Sequence, residues 1–467
     1  MMKKLFRTGL AFAVCLSAGS SMAADFRLPQ YETVKLSNGL TVYLMERHDV
    51  PLIAVRAVIK AGAVADGKAA GLANLTGDAL LLGSQKYKKA VIDQTFDFRG
   101  ARIASTSSSD ATSVAADFAK DDAPVLLPVI ADVLMHPVFD EQEFVKLRAR
   151  TVDELKHAKE SPRNVVQNYY RSMLFGNGAY ANPVSGTVAG VSALQAADAR
   201  RFYQQYYRPD NAALVVVGDF QPSAMRSELE KVFAQWKSAG QLPALPDTGK
   251  VQADKARVWL VNKSDAAETT FLFGGAGIAR NDPDYVPLQV INTILGGRFT
   301  SWLNDELRVN SGLTYGASSS FTPLAKAGSF AVSSFTATPK TEAALVLATK
   351  TYQRLWDKGI DAATLESAKA YVKGQFPPRF ETNQQLAGLL GDMYVSQVGR
   401  EQMDHFMQDV DSLTPEKARQ LVDKHFPRDK LQMLLIGKAE NIRSIAASYG
   451  DVTELDITAN GFSPQAN

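Results

Sequence analysis

At 467 residues, 46% of them hydrophobic, the chain is long enough for two or three domains with cores of ordinary size. Its 51 Lys+Arg against 49 Asp+Glu leave a net charge of +2, too even a balance for a protein whose main partner is nucleic acid. A single cysteine excludes an internal disulfide framework and any thiolate metal cluster.

The N-terminus carries Lys3, Lys4 and Arg7, an apolar run from Leu10 to Leu16, and Ser21-Met22-Ala23 before Ala24. This pattern predicts a cleaved secretory signal over residues 1–23, with an apolar run too short to span a bilayer. Its removal takes three bases and Cys15, leaving 48 Lys+Arg against 49 Asp+Glu. With a bacterial-looking signal, the predicted address is the periplasm. No later run is apolar enough for a transmembrane helix.

Tyr31–Leu36 and Leu40–Glu46 read as a hairpin turning at Asn38-Gly39, followed by a strand over Ile53–Lys60. Then comes a helix over residues 71–84. Leu72, Leu75, Ala79 and Leu82 give it an apolar face, while Asn74 and Asp78, four apart, share another. The inverted zinc-protease motif H-x-x-E-H places two imidazoles at such positions and its base just before the second. Here the order is Asn74-Leu75-Thr76-Gly77-Asp78. An Asn amide oxygen is a poor zinc ligand and Gly77 has nothing with which to take a proton, so this helix cannot hydrolyse a peptide by that mechanism.

Strands follow near Ala101–Ser105 and Ser113–Phe118, then helices over Ala123–Met135 and Asp140–Lys159, the latter ended or restarted by Pro162. Gly190–Tyr207 reads as one helix, Asn211–Asp219 as a buried strand with its turn, and Pro222–Trp236 as a further helix. Residues 238–255, with Gly240, Pro243, Pro246 and Gly249, form the linker. After it the pattern restarts: Leu194–Gly218 aligns without gaps onto Leu413–Gly437, 219 residues on, and Val42-Tyr43-Leu44 matches Val258-Trp259-Leu260 more loosely. The predicted class is therefore α+β. Two similar domains, 24–237 and 256–457, each a mostly antiparallel sheet covered by helices, form half of a clamshell; a loose tail occupies 458–467.

The second domain carries a distinctive string: Phe271-Leu272-Phe273-Gly274, Leu295-Gly296-Gly297, Glu306-Leu307-Arg308 and Gly312-Leu313-Thr314-Tyr315. On these residues and the defective helix, the chain resembles the pitrilysin/insulinase (inverzincin) zinc peptidases, within them the paired-subunit type that includes mitochondrial processing peptidase and bacterial heterodimers. The resemblance runs from Asn38-Gly39 to Gly437. It implies that Arg308 and Tyr315 act in trans on a partner's zinc site, where a guanidinium and a phenol hydroxyl stabilise the oxyanion of a peptide under attack. It also puts a third ligand position on Glu154, beside the degenerate Asn74, Gly77 and Asp78. One carboxylate, with Asp78 as a second, makes no tight zinc site, so this chain is expected to bind no metal while a homologous subunit with an intact H-x-x-E-H holds the zinc. Asp78 and Glu154 are expected close enough for repulsion to raise one pKa.

Nothing else offers a catalytic constellation. His48, His136, His157, His405 and His425 are scattered without helical pair spacing, and Gly274-Gly275-Ala276-Gly277 lacks the Lys-Ser/Thr of a phosphate loop. Three readings follow: a non-catalytic subunit of a periplasmic heterodimeric zinc peptidase that binds peptide substrates; a scaffold or peptide-binding protein of the same fold; and, weakest, a self-sufficient peptidase using Asp78, Glu154 and another metal.

Overall fold

A computed structural model of the chain describes residues 27–464 apart from residue 252; the signal segment and Cys15 lie outside the described residues. Among the described residues, twelve strands form two mixed sheets of six. The first comprises β1 (Glu32–Lys35), β2 (Thr41–Glu46), β3 (Leu52–Ile59), β4 (Arg102–Ser107), β5 (Thr112–Ala119) and β6 (Ala212–Gly218), in the order β1-β2-β6-β3-β5-β4. The second comprises β7 (Arg257–Asn262), β8 (Glu268–Ala276), β9 (Ala317–Pro323), β10 (Gly328–Ala337), β11 (Gln432–Gly437) and β12 (Asp451–Asp456), in the order β12-β7-β11-β8-β10-β9. All neighbours are antiparallel except β2 with β6 and β7 with both β11 and β12.

The two orders coincide once β2, β6, β3, β5 and β4 are laid on β7, β11, β8, β10 and β9. Only the edge beyond the shared block differs, filled in the first sheet by an antiparallel strand from before it and in the second by a parallel strand from after it. The internal repeat is exact at its best-matched stretch: helix Ala196–Tyr206 and helix Pro415–His425 stand 219 residues apart at both ends.

Strand β5 alternates buried and half-buried residues, as a sheet with one well-covered face should, whereas every residue of β6 and of β11 is buried. Helix Asn383–Ser396, from the second half of the chain, packs on β3 and β6 of the first sheet. Reciprocally, helix Pro162–Phe175 of the first half packs on β8 and β11 of the second, with Tyr169, Tyr170 and Met173 in one cluster with Leu272, Leu434 and Ile436. The Tyr170 hydroxyl donates to the Phe330 carbonyl at 3.0 Å. The halves are thus locked by exchange of equivalent helices, and burial of apolar faces on both sides of each central strand couples their stability.

Two expectations need correction. The helix read over Gly190–Tyr207 is two, Val188–Ala193 and Ala196–Tyr206, because Leu194 is extended and Gln195 and Asp198 form a capping box that starts a new helix. The tail expected to be loose over 458–467 is held in place over its described part, up to residue 464. Phe462, 6% exposed, stands edge-on to Tyr169 with ring centres 5.0 Å apart, and Lys159 Nζ donates to the carbonyls of Ala459 and Gly461. One apolar plug among polar neighbours carries too little pattern to be seen in sequence. Among the described residues, no helix is long and apolar enough to cross a membrane.

Candidate functional site

Helix Leu72–Leu80 lies against β4, helix Glu141–Ala158 and helix Ala196–Tyr206, its apolar residues Ala73, Leu75, Ala79 and Leu80 buried. Its N-terminus is held by Asp66, a buried carboxylate that sequence reasoning missed. Asp66 accepts the backbone N–H of Gly71 and of Ala73, each at 2.7 Å, and burial outweighs those two bonds to lift its pKa to about 7. One turn on, Asn74 donates its amide to Asp78 Oδ2 at 3.3 Å. Burial pushes the Asp78 pKa up to about 6; Arg150 lowers it and Glu154 adds to the rise. The proximity of Asp78 to Glu154 is as expected, but desolvation rather than repulsion dominates. Glu154 itself is exposed and pairs with Arg150 at 3.7 Å.

Gly77 is packed, not merely small. A Cβ at this position would lie 2.7 Å from Ser105 Oγ and 2.7 Å from Thr112 Cγ2. Thr112 is fully buried, its hydroxyl donating to the Ala61 carbonyl at 2.9 Å, so it cannot swing aside freely. The helix packs on β4 and β5 too closely for a longer side chain to stand at this position.

The second constellation lies in the other half. Helix Tyr285–Asn292 continues as a wider π turn over Thr293–Gly297, and Gly296 abuts the Ser319 backbone of β9, an approach that any Cβ would block. Asn292 donates to the Ser319 carbonyl at 2.9 Å and accepts from the Ser319 hydroxyl at 2.7 Å, clamping β9 onto this turn. A second π segment, Asp305–Asn310, carries Arg308; its guanidinium sits 4.8 Å above the Phe299 ring. Gly312, at φ +59°, then turns the chain in a conformation that side chains resist, and Leu313 N donates back to the Leu307 carbonyl at 2.9 Å.

The loop after it is pinned. Thr314 Oγ1 accepts from Gly316 N at 3.1 Å, Ser334 Oγ donates to the Gly316 carbonyl at 2.9 Å, and Thr336 Oγ1 donates to the Leu313 carbonyl at 2.6 Å. From this fixed backbone Tyr315 projects 81% exposed. Arg308 and Tyr315 line one recess of about 510 Å³ with Glu268, Leu313, Phe335 and Lys340, and none of Asn74, Gly77, Asp78 or Glu154 lines it.

Four of the five histidines are engaged by carboxylates, three of them at separate places: His48 by Asp219 at 2.6 Å and Glu46 at 2.8 Å, His136 by Asp132 at 3.1 Å, and His157 by Glu160 at 2.9 Å. His425 joins Asp282 and Asp284 in a compact group at the start of helix Tyr285–Asn292, with Asp284 also neutralised by Lys424 at 2.7 Å.

The paired sheets, and a helix that keeps the frame of a metallopeptidase motif without its ligands, define a two-repeat peptidase-type fold. Comparison with known proteins agrees. Residues 41–188 match the family described as Insulinase (Peptidase family M16), and residues 193–372 match the Peptidase M16 inactive domain. An uncharacterized zinc protease of Bacillus subtilis is 22% identical over 408 residues, 87% of this chain and 98% of that one. One from Streptomyces coelicolor is 25% identical over 345 residues, covering 73% and 75%. Among solved structures, the peptidase M16 inactive domain from Pseudomonas fluorescens superposes with a TM-score of 0.81 at 25% identity, over 87% of this chain and 98% of that one. A protease from Helicobacter pylori shares the fold with a TM-score of 0.81 at 21% identity, over 88% and 100%. The chain belongs to the insulinase (M16) peptidase family, and it is a non-catalytic member.

The zinc of that family does not fit this chain. Its helix offers an amide, no side chain and a half-buried carboxylate whose neutral form burial favours, with Glu154 turned to solvent on Arg150, and the close packing at Gly77 leaves no room for a base.

Proposed function

We propose that this chain is the non-catalytic subunit of a periplasmic heterodimeric zinc metallopeptidase, binding peptide and lending Arg308 and Tyr315 to a homologous subunit that carries H-x-x-E-H and the metal. The observation that carries the reading is that both side chains open into one recess from a backbone held in place, a recess that no residue of this chain's own defective helix lines. Donors fixed before reaction cost no reorganisation when charge develops on the scissile carbonyl, which is what makes such groups effective. Strand β9 begins two residues after Tyr315 and ends its sheet, so its outer edge offers main-chain groups to a peptide added as a further strand.

The test is reconstitution. Neither subunit alone should cleave an unfolded peptide, and the mixture should. Arg308→Ala should lower kcat of the mixture by about 100-fold or more, and Tyr315→Phe by about 10-fold, with assembly unchanged by sedimentation. A partner fully active alone, together with an Arg308→Ala mixture indistinguishable from wild type, would leave the scaffold reading instead.

A further inference from the structure

The recess holds more positive charge than the proposed role of Arg308 requires. Lys340, the residue before helix Thr341–Asp357, lines it too, and its Nζ donates to the Gly312 carbonyl at 3.4 Å. The Gly312 amide in turn donates to the Arg308 carbonyl at 3.2 Å, so a single residue bridges the two cationic positions. Among the described residues no carboxylate forms an ion pair with either. The one acid in the lining, Glu268, is already engaged by Arg163 Nη2 at 3.4 Å, and that guanidinium stacks on Phe335 at 4.2 Å. In a chain whose total charge is nearly balanced, this recess concentrates two cations without a carboxylate partner in a lining that also holds Tyr315 and Phe335.

We infer that the recess is a carboxylate-binding subsite in which Lys340 selects the ligand: an acidic side chain, or the C-terminal carboxylate, of a bound peptide. The chemistry is the same for both sources. A point charge on a flexible stem suits a carboxylate presented at variable depth, and placing it on Lys340 leaves the Arg308 fork free for a carbonyl oxygen. Two cations acting on one carboxylate within a recess would hold it more firmly than a single exposed ion pair. The inference rests on the proposed reading of the recess as a peptide site, but its test needs no partner and no turnover.

The full chain is titrated by fluorescence anisotropy, at low and at high salt, with four labelled decapeptides of Gly, Ser and Ala. They differ in one central Glu or Gln and in a free or amidated C-terminus. Wild type should bind carboxylate-bearing peptides at least 5-fold tighter than the amidated Gln peptide, with the preference abolished by high salt. Preference for Glu between the amidated pair identifies a side-chain ligand; preference for free acid between the Gln pair identifies the terminus. Lys340→Met should erase the preference, Lys340→Arg should restore it, and Lys340→Glu should turn it toward a peptide with a central Lys, which a merely structural tether to Gly312 would not do. Equal affinities for all four peptides, absence of binding, or a Lys340→Met chain with the wild-type preference overturns the inference. Intact selectivity beside a reconstituted enzyme indifferent to Arg308→Ala would sink the subunit proposal and leave the carboxylate subsite standing.

Discussion

Restoring the family's base to this chain should damage the fold before it creates any activity. Gly77→Glu puts a Cβ 2.7 Å from both Ser105 Oγ and Thr112 Cγ2 and then has to place one more methylene and a carboxyl group in the same slot. Replacing a helical glycine gains about 1 kcal/mol in propensity at most. Against that stand about 1–3 kcal/mol for overpacking and several more for burying an unpaired carboxylate, since the nearby hydroxyl of Thr112 is committed to Ala61. A net loss of roughly 3 kcal/mol or more follows from those terms. Gly77→Ala separates them: it keeps the overlap with Thr112 but not the charge, Ser105 Oγ has no partner and can rotate away, and the helix-propensity gain offsets part of the overlap, so the net cost should be about 1 kcal/mol. Urea midpoints measured side by side, with circular dichroism as the probe, give the order wild type, Ala, Glu. The triple change Asn74→His, Gly77→Glu, Asp78→His should then bind no stoichiometric zinc by elemental analysis. A Gly77→Glu chain as stable as wild type, or a triple variant holding one zinc per chain, would show that the helix has not closed on the sheet and that the motif was lost by chemistry alone.

Asp78 has its pKa raised from 3.8 to about 6, so the native chain binds more protons than the unfolded one between those values and stability falls as pH rises through that window. Asp78→Asn removes the penalty. It should match wild type below about pH 4 and exceed it by up to about 3 kcal/mol at pH 7, at 1.36 kcal/mol per unit. Asp66 also titrates in the range but is common to both chains, so the difference curve isolates Asp78, and parallel curves would refute the account. Phe462→Ala should cost about 2–4 kcal/mol, the range for emptying a buried aromatic site, and should expose the tail to limited proteolysis; an unchanged melting temperature would show the plug carries no weight.

Sequence carried what is local or periodic. The hairpin at Asn38-Gly39 and the alternation of β5 follow from neighbours within a few positions, the 219-residue repeat from the same string met twice, and the string from Gly296 to Tyr315 marks a backbone that needs glycine where β9 approaches and where the chain reverses. The reciprocal exchange of helices is of another kind. Helix Pro162–Phe175 shows an apolar face in its sequence, but nothing in that face says whether Tyr170 reaches its own sheet or the Phe330 carbonyl, 160 residues away. Asp66 was invisible for the same reason: an acid ahead of a helix is commonplace, and only burial makes it the sole support of two helix amides. Closure over Gly77 likewise depends on Ser105 and Thr112 from strands of the same sheet, which no spacing along the helix encodes.

The two repeats have therefore diverged in opposite directions around one frame. In the first, the helix is packed tightly on β4 and β5, so that at Gly77 packing fills the room that chemistry would require. In the second, Tyr315 is held out to solvent at 81% exposure by a loop whose carbonyls are bonded to Ser334 and Thr336. An exposed ring returns almost nothing to the stability of the chain that bears it, and ordering its loop costs conformational entropy. Stability alone accounts for the first arrangement and not for the second. A solvent-facing phenol on a pinned loop, sharing its recess with a guanidinium that no carboxylate among the described residues pairs, is what the subunit proposal accounts for, which is why that proposal turns on Arg308 and Tyr315 and not on the vestigial helix.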